Sequence, residues 1–211
     1  MTTASGQRVR AAAGICAVAL TTAPLASAMA QAPAVVHVVG RYAVGAVKAD
    51  FKPSRRIGSK RGGLVCLPAG RFTWSDARAG FDDARVVIAS VLRDQTPDRV
   101  DAPDDPFSDE RGATRYKIVA TLDDVTLNAC VRNWGLAAKL AHSHALSGHG
   151  HLKVTWDVFD RITRASTAHS TIETDFDLPN DTEDAAAALT AGLKLNAGEF
   201  ARQQWPARKN G

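Results

Sequence analysis

Four of the six histidines fall within ten residues, at His142, His144, His149 and His151. Imidazole is a preferred ligand of zinc and copper. On extended backbone each His-x-His pair puts both rings on one side. On a helix over residues 136–146, by contrast, His142 and His144 point to different faces. No neighbouring cysteine or carboxylate completes an evident set, although Asp124 and Asp157 could approach. The expectation is a polar loop that takes up metal adventitiously. Physiological zinc or copper binding is the alternative, and no other cofactor is implied.

A second candidate is the basic run Arg55, Arg56, Lys60 and Arg61, preceded by Arg41, Lys48 and Lys52 with only Asp50 to offset them. Such a run suits an anionic envelope polymer or lipid head groups. Its bland reading is a solvated linker, or a strand whose charges face the acidic stretch at 94–113. That stretch lacks the glycine and terminal glutamate spacing of a calcium loop. Neither a Gly-x-Ser-x-Gly elbow nor a cysteine–histidine signature is present. His169 and Ser170 are neighbours on a strand and point apart. Gly148-His-Gly150 is a turn rather than a phosphate loop, and the pair Asp123–Asp124 suits a turn for backbone reasons. The chain is not expected to be an enzyme.

These residues need a scaffold, and its pattern is legible from Tyr116 to Phe176. Apolar and polar residues alternate through Tyr116–Leu122, Val125–Val131, His151–Phe159 and 164–176, as half-buried strands do. Asp123-Asp124 reads as a tight connection and Asp160–Thr163 as a hairpin turn. Trp156 has core parity. Val35–Val47 could add an edge strand. Gly58, Gly62, Gly63 and Pro53 should then break regular structure, before a short strand from Gly63 that Pro68 ends.

Helices are expected near 75–93 and 182–203. The first has Ser75 as cap, Asp76 in its first turn and a stripe of Phe81, Ala84, Ile88, Val91 and Leu92. Asn180 or Asp181 would cap the second, whose stripe is Ala186, Leu189, Leu193, Ala197 and Phe200. The fold class is α+β: an antiparallel sheet of about four to five strands, with two helices packed chiefly on one face.

The 211 residues are 45% hydrophobic and 23% charged, ordinary globular values. Arg8 and Arg10 precede an apolar run at 11–20, and Ala28-Met-Ala30 follows with cleavable small residues. Residues 1–30 therefore read as a signal peptide, too short in its apolar part to span a membrane as a stable helix. Cleavage halves the formal +4, since both arginines leave. A nucleic-acid partner is excluded on that charge and address. The mature protein is expected in the periplasm or secreted, divided into a basic arm or edge strand at 31–61, one domain at 62–204 and a tail at 205–211.

Cys66 and Cys130 remain after cleavage, an even pair in an oxidising compartment, and are expected to form a disulfide. The chain-entropy model values that bridge at about 4 kcal/mol. Cys130 has the opposite parity to Val125, Leu127, Ala129 and Val131, so the bridge should lie on the other face of the sheet.

The order Val65-Cys-Leu-Pro68, Trp74-Ser-Asp76, Tyr116–Leu122, Cys130, Val154-Thr-Trp-Asp-Val-Phe-Asp160 and Thr163 resembles the exported amino-terminal α+β domain found ahead of trypsin-like serine peptidase domains in some bacterial proteins. More distantly it is similar to the TolB amino-terminal and curli-assembly-lipoprotein type of domain. The resemblance spans residues 62–204 and carries no catalytic residues. It implies a domain that binds or positions something in the cell envelope. The expected function is thus a non-catalytic protein-interaction or adaptor module with an envelope protein as partner. Ligand or metal binding through His142–His151, or polymer binding by the basic run, is the alternative.

Overall fold

Asp123 and Asp124 do not turn the chain. In the computed structural model, which describes residues 38–63, 65–101, 114–131, 145–178 and 182–206, they form a bulge inside one long strand, Thr114–Val131. Ile118, Ala120 and Leu122 are buried before the bulge, and Val125, Leu127, Ala129 and Val131 after it. Without the extra residue the second set would face the opposite side, because strand parity is strictly two. The two strands expected here are therefore one.

The strands are β1 (Val38–Ala49), β2 (Arg56–Gly62), β3 (Leu67–Thr73), β4 (Thr114–Val131), β5 (Leu146–Asp160) and β6 (Ala165–Asp177). The helices are α1 (Trp74–Asp82), α2 (Ala84–Gln95) and α3 (Ala185–Gln204). The sheet has six strands, more than expected, in the order β3-β2-β4-β5-β6, with β1 also beside β4. It is mostly antiparallel, but β1 and β2 both run parallel to β4. β1 takes the first half of β4, up to Leu122, and β2 takes the second half from Leu127. In the gap between them Arg55 Nη2 reaches Asp124 Oδ1 at 2.6 Å, and its guanidinium lies 4.0 Å from the Phe51 ring centre. The bulge thus meets the break.

The glycines expected to interrupt residues 55–62 do not do so. Gly58 lies opposite Leu127, where a Cβ would fall 1.7 Å from the Leu127 carbonyl oxygen, so the close approach requires glycine. Cys66 sits in the turn after β2, with φ 51°, and the strand begins after it at Leu67 rather than ending at Pro68. Its disulfide to Cys130 has a Cα–Cα separation of 5.5 Å and links positions 64 residues apart. Asn128 and Cys130 of β4 lie opposite Ser59 and Arg61, on the face away from the helices, as parity required.

Three helices replace the expected two. Residues 75–93 divide at Asp83, which leaves helical geometry at φ −92°, ψ 4°. Two acids close α1, where the helix dipole disfavours them, and stand just ahead of α2, where it favours them. Thr73 rather than Ser75 caps α1: its backbone N–H donates to Asp76 Oδ2 at 2.8 Å and its hydroxyl to the same oxygen at 2.8 Å. Asp184 caps α3 by accepting from the Ala187 N–H at 2.8 Å. Asn180 and Asp181 lie outside the described residues.

All three helices cover one face. Trp156 is buried and stacks on Phe200 with ring centres 4.4 Å apart. Gly80 of α1 lies under the Ala186 carbonyl of α3, and Arg85 of α2 donates from Nε to the Val44 carbonyl of β1 at 3.1 Å. Arg41 of β1 pairs with Asp101 at 2.6 Å, so one N-terminal cation does face the acidic stretch. Trp205 packs edge-on against Tyr42 and Phe200.

Candidate functional site on the outer sheet face

No described helix covers the second face of the sheet; along β5 its side chains are polar from His149 to Asp157, and Phe159, 38% exposed, follows at the hairpin end. The alternation of β5 puts Leu152, Val154, Trp156 and Val158 toward the helices, and His149, His151, Lys153, Thr155 and Asp157 outward. The β5–β6 register sets each against a counterpart: Asp177, Asp175, Glu173, Thr171 and His169. His149 Nδ1 lies 2.5 Å from Asp177 Oδ1, His151 Nδ1 2.8 Å from Asp175 Oδ1, and Lys153 Nζ 2.8 Å from Glu173 Oε1. At the far end Asp157 and His169 reverse the order, at 2.8 Å. Lys153 holds the Glu173 carboxyl below the usual carboxylate range, and Glu173 holds the Lys153 ammonium above its own.

The rows continue onto β4 and β2. Ser59, Asn128, His149 and Asp177 are mutually in register across four strands. Ser59 donates through both its hydroxyl, at 2.6 Å, and its backbone N–H, at 3.1 Å, to Asn128 Oδ1. Beside the disulfide, Ser59, Arg61, Asn128, Ser147 and His149 line an open groove of about 520 Å³. A cleft of about 440 Å³ lies on the helix side, with Lys60, Phe72, Val131, Leu146, Glu183 and Asp184 in its walls.

Of the four histidines considered as metal ligands, His149 and His151 share one strand face, and His142 and His144 lie outside the described residues. In a neutral imidazole a carboxylate against Nδ1 favours the N–H there and leaves Nε2 as the nitrogen with a lone pair, the tautomer in which histidine ligates metal. Among the described residues no group of three or more His, Cys, Asp or Glu side chains converges on a metal position.

The four cations considered for polymer binding are dispersed. Arg55 is engaged with Asp124 and Phe51. Arg56 Nε donates to the Gly58 carbonyl at 3.3 Å. Lys60 lies opposite Ala129, on the helix side, 5.9 Å from the Phe72 ring centre, while Arg61 lies opposite Cys130 on the outer side. Consecutive residues of a strand cannot share a face.

The acids of β6 were not among the sequence candidates. Counting outward from the hairpin turn does not find them: the pair Asp160–Ala165 would set Lys153 against Ile172, and a register shift between Val158 and Phe159 brings His149, His151 and Lys153 against Asp177, Asp175 and Glu173.

No protein-family model matches the chain. No curated protein sequence matches it either. Among solved structures, the chain is similar to a Xanthomonas campestris protein of the DUF330 family at 13% identity and TM-score 0.40, over 82% of this chain and 87% of that one. The PelC dodecamer from Paraburkholderia phytofirmans is similar at 12% identity and TM-score 0.37, over 77% and 87%. A minor lipoprotein from Acinetobacter baumannii is similar at 12% identity and TM-score 0.31, over 79% and 91%.

Proposed function

We propose that this chain is an exported, non-catalytic cell-envelope domain that receives an extended segment of an envelope protein along the free edge of β6. The observation that carries the reading is the edge itself. β6 is thirteen residues long, contains no proline or glycine, and has β5 as its one strand partner among the described residues. Such an edge offers unpaired backbone groups to an incoming strand. The opposite side has two edges: β3 is seven residues long and carries Pro68 and Gly70, which blunt it, and β1 is covered at Tyr42 by backbone hydrogen bonds to Arg99 and Asp101. Glu173, Asp175 and Asp177 on alternate positions favour a partner strand with Lys or Arg at alternate positions. The disulfide supports an oxidising compartment. A non-catalytic role is consistent with Ser170 facing away from His169.

The test is photocrosslinking in intact cells from a benzoyl-phenylalanine at Thr171, compared with one at Val86 on α2. One recurrent envelope protein captured from Thr171 and not from Val86 is expected. Identical captures from both positions, or none from Thr171, would refute the edge reading.

A second reading rests on His149 and His151, which lie on one strand face with Nδ1 of each ring engaged by an aspartate. On this reading the outer face binds zinc or copper. Micromolar affinity lost in His149→Gln/His151→Gln is its measure, and unchanged affinity ends it.

A further inference from the structure

β6 carries its charge unevenly. Its C-terminal half holds Glu173, Asp175 and Asp177, its N-terminal half holds His169 and no acid, and Arg161 and Arg164 stand in the turn before it. The ladder to β5 is interrupted at Thr167, which has no counterpart there and whose hydroxyl donates to the Val158 carbonyl at 3.1 Å. From Ala168 to Asp177 the ladder is regular. Along that stretch His169, Thr171, Glu173, Asp175 and Asp177 share the outer face, and Ala168, Ser170, Ile172, Thr174 and Phe176 the inner one.

An edge with its acids at one end suits a second copy of itself running the other way. If the helices of both copies are to lie on one face of a continuous sheet, the two-fold axis passes through a residue of β6. An axis at Glu173 or beyond sets acid against acid, which is destabilising directly across strands. An axis at Ile172 gives the longest regular overlap that keeps the acids apart, over 168–176. His169 then lies opposite Asp175 of the second copy, Thr171 opposite Glu173, and Asp177 opposite Thr167, three residues from Arg164. Ile172 meets its own copy on the inner face. α3 lies over both β5 and β6, where Asn196 bonds the Trp156 indole and the Ile172 carbonyl. Strands about 4.8 Å apart then set the α3 helices of the two copies roughly 10 Å apart beside the axis, within helix-packing distance.

We infer that β6 pairs antiparallel with β6 of a second copy about an axis at Ile172, so that the unengaged protein keeps its open edge covered as a symmetrical dimer. The inference rests on the proposed role of that edge and supplies its regulation. The second copy sets only Thr171, His169 and Thr167 against the three acids, so a segment with Lys or Arg at those places displaces it.

The experiment is sedimentation velocity of the purified protein, disulfide intact, from about 1 to 200 μM, with hydrogen exchange read at both ends of that range. A monomer–dimer equilibrium is expected, with the amides of 168–176 better protected at the higher concentration. Thr171 is exposed, and changing it alters the charge that faces Glu173 at both symmetric contacts. Thr171→Lys should tighten the dimer about fivefold and Thr171→Glu should weaken it about fivefold. Urea midpoints at the lowest concentration check that both variants fold, and tightening by the first is a change that loss of folding does not mimic. A monomer at every concentration, a dimer with no added protection in β6, or equal affinities in the two variants would each overturn the inference. Dimerisation with these signatures, but with no envelope protein captured from the photocrosslinker at Thr171, would keep the pairing and refute the proposed partner.

Discussion

Asn196 offers the sharpest test of how the sheet and helices hold together. It lies on α3 with no solvent exposure, among residues that are otherwise apolar. Its Oδ1 accepts the Trp156 indole N–H of β5 at 2.9 Å. Its Nδ2 donates to the Ile172 carbonyl of β6 at 3.0 Å and to the Thr174 hydroxyl at 2.8 Å. One amide therefore ties three elements. Asn196→Ala removes all three bonds, leaves the indole N–H facing a space closed to water, and opens a small cavity. An unsatisfied buried donor costs about 1–3 kcal/mol, and with the cavity the total should reach roughly 3–5 kcal/mol. Trp156→Phe removes the donor while keeping an aromatic ring against Phe200. The two changes should not add: a double-mutant cycle should give a coupling of about 1–2 kcal/mol. Urea unfolding followed by far-ultraviolet circular dichroism, with the disulfide kept, measures every corner of the cycle. A cost below about 1 kcal/mol for Asn196→Ala, or a coupling near zero, would refute the bridging role.

Two further predictions concern a strand end and a helix crossing. Arg115 beside Asp160, at 2.7 Å, holds the Asp160 carboxyl below the usual carboxylate range, helped by the backbone N–H groups of Ile162 and Thr163. A depressed folded-state value stabilises above the unfolded value of about 3.9 and is lost as pH falls through the folded one. Asp160→Asn should therefore flatten the fall of the urea midpoint below about pH 4, and an unchanged acid limb would count against the pair. At the α1–α3 crossing, a Cβ on Gly80 would lie 2.1 Å from the Ala186 carbonyl oxygen and 2.9 Å from Thr190 Oγ1. Overpacking of about 1–3 kcal/mol should outweigh the helix-propensity gain of about 1 kcal/mol, so Gly80→Ala should lower Tm. A raised Tm would show that the helices separate freely.

Local pattern carried much of this molecule. Alternation identified the inward faces of β4 and β5, including Trp156. Spacings of three and four residues identified the buried stripes of the helices, from Ala84, Ile88 and Leu92 to Leu193, Ala197 and Phe200. Parity placed Cys130 on the outer face before any partner was known. These succeed because a strand or helix imposes its period on every residue it contains. The same logic failed at Asp123-Asp124. Two acids between apolar runs fit a turn and a bulge equally well, and only the unbroken ladder to β5 decides between them. It failed again at 55–62, where the glycines that suggest a break are needed for close approach to β4.

What sequence could not reach depends on neighbours distant along the chain. The parallel docking of β1 and β2 end to end along β4 sets Arg55 against Asp124 and parts Lys60 from Arg61, dividing a cationic run that looks continuous in the sequence. Asn196 interrupts an apolar stripe and reads as a flaw until Trp156 and Ile172 are brought to it. The outer face, with its rows from Ser59 to Asp177, comes from strand register, which no single strand contains. Side-chain period is a property of one element, whereas partner, face and exposure are properties of the packing between elements. For that reason the sequence by itself determined the α+β class, the disulfide pair and the inward faces of β4 and β5, and the tertiary structure alone decided how many strands and helices there are and which polar groups meet.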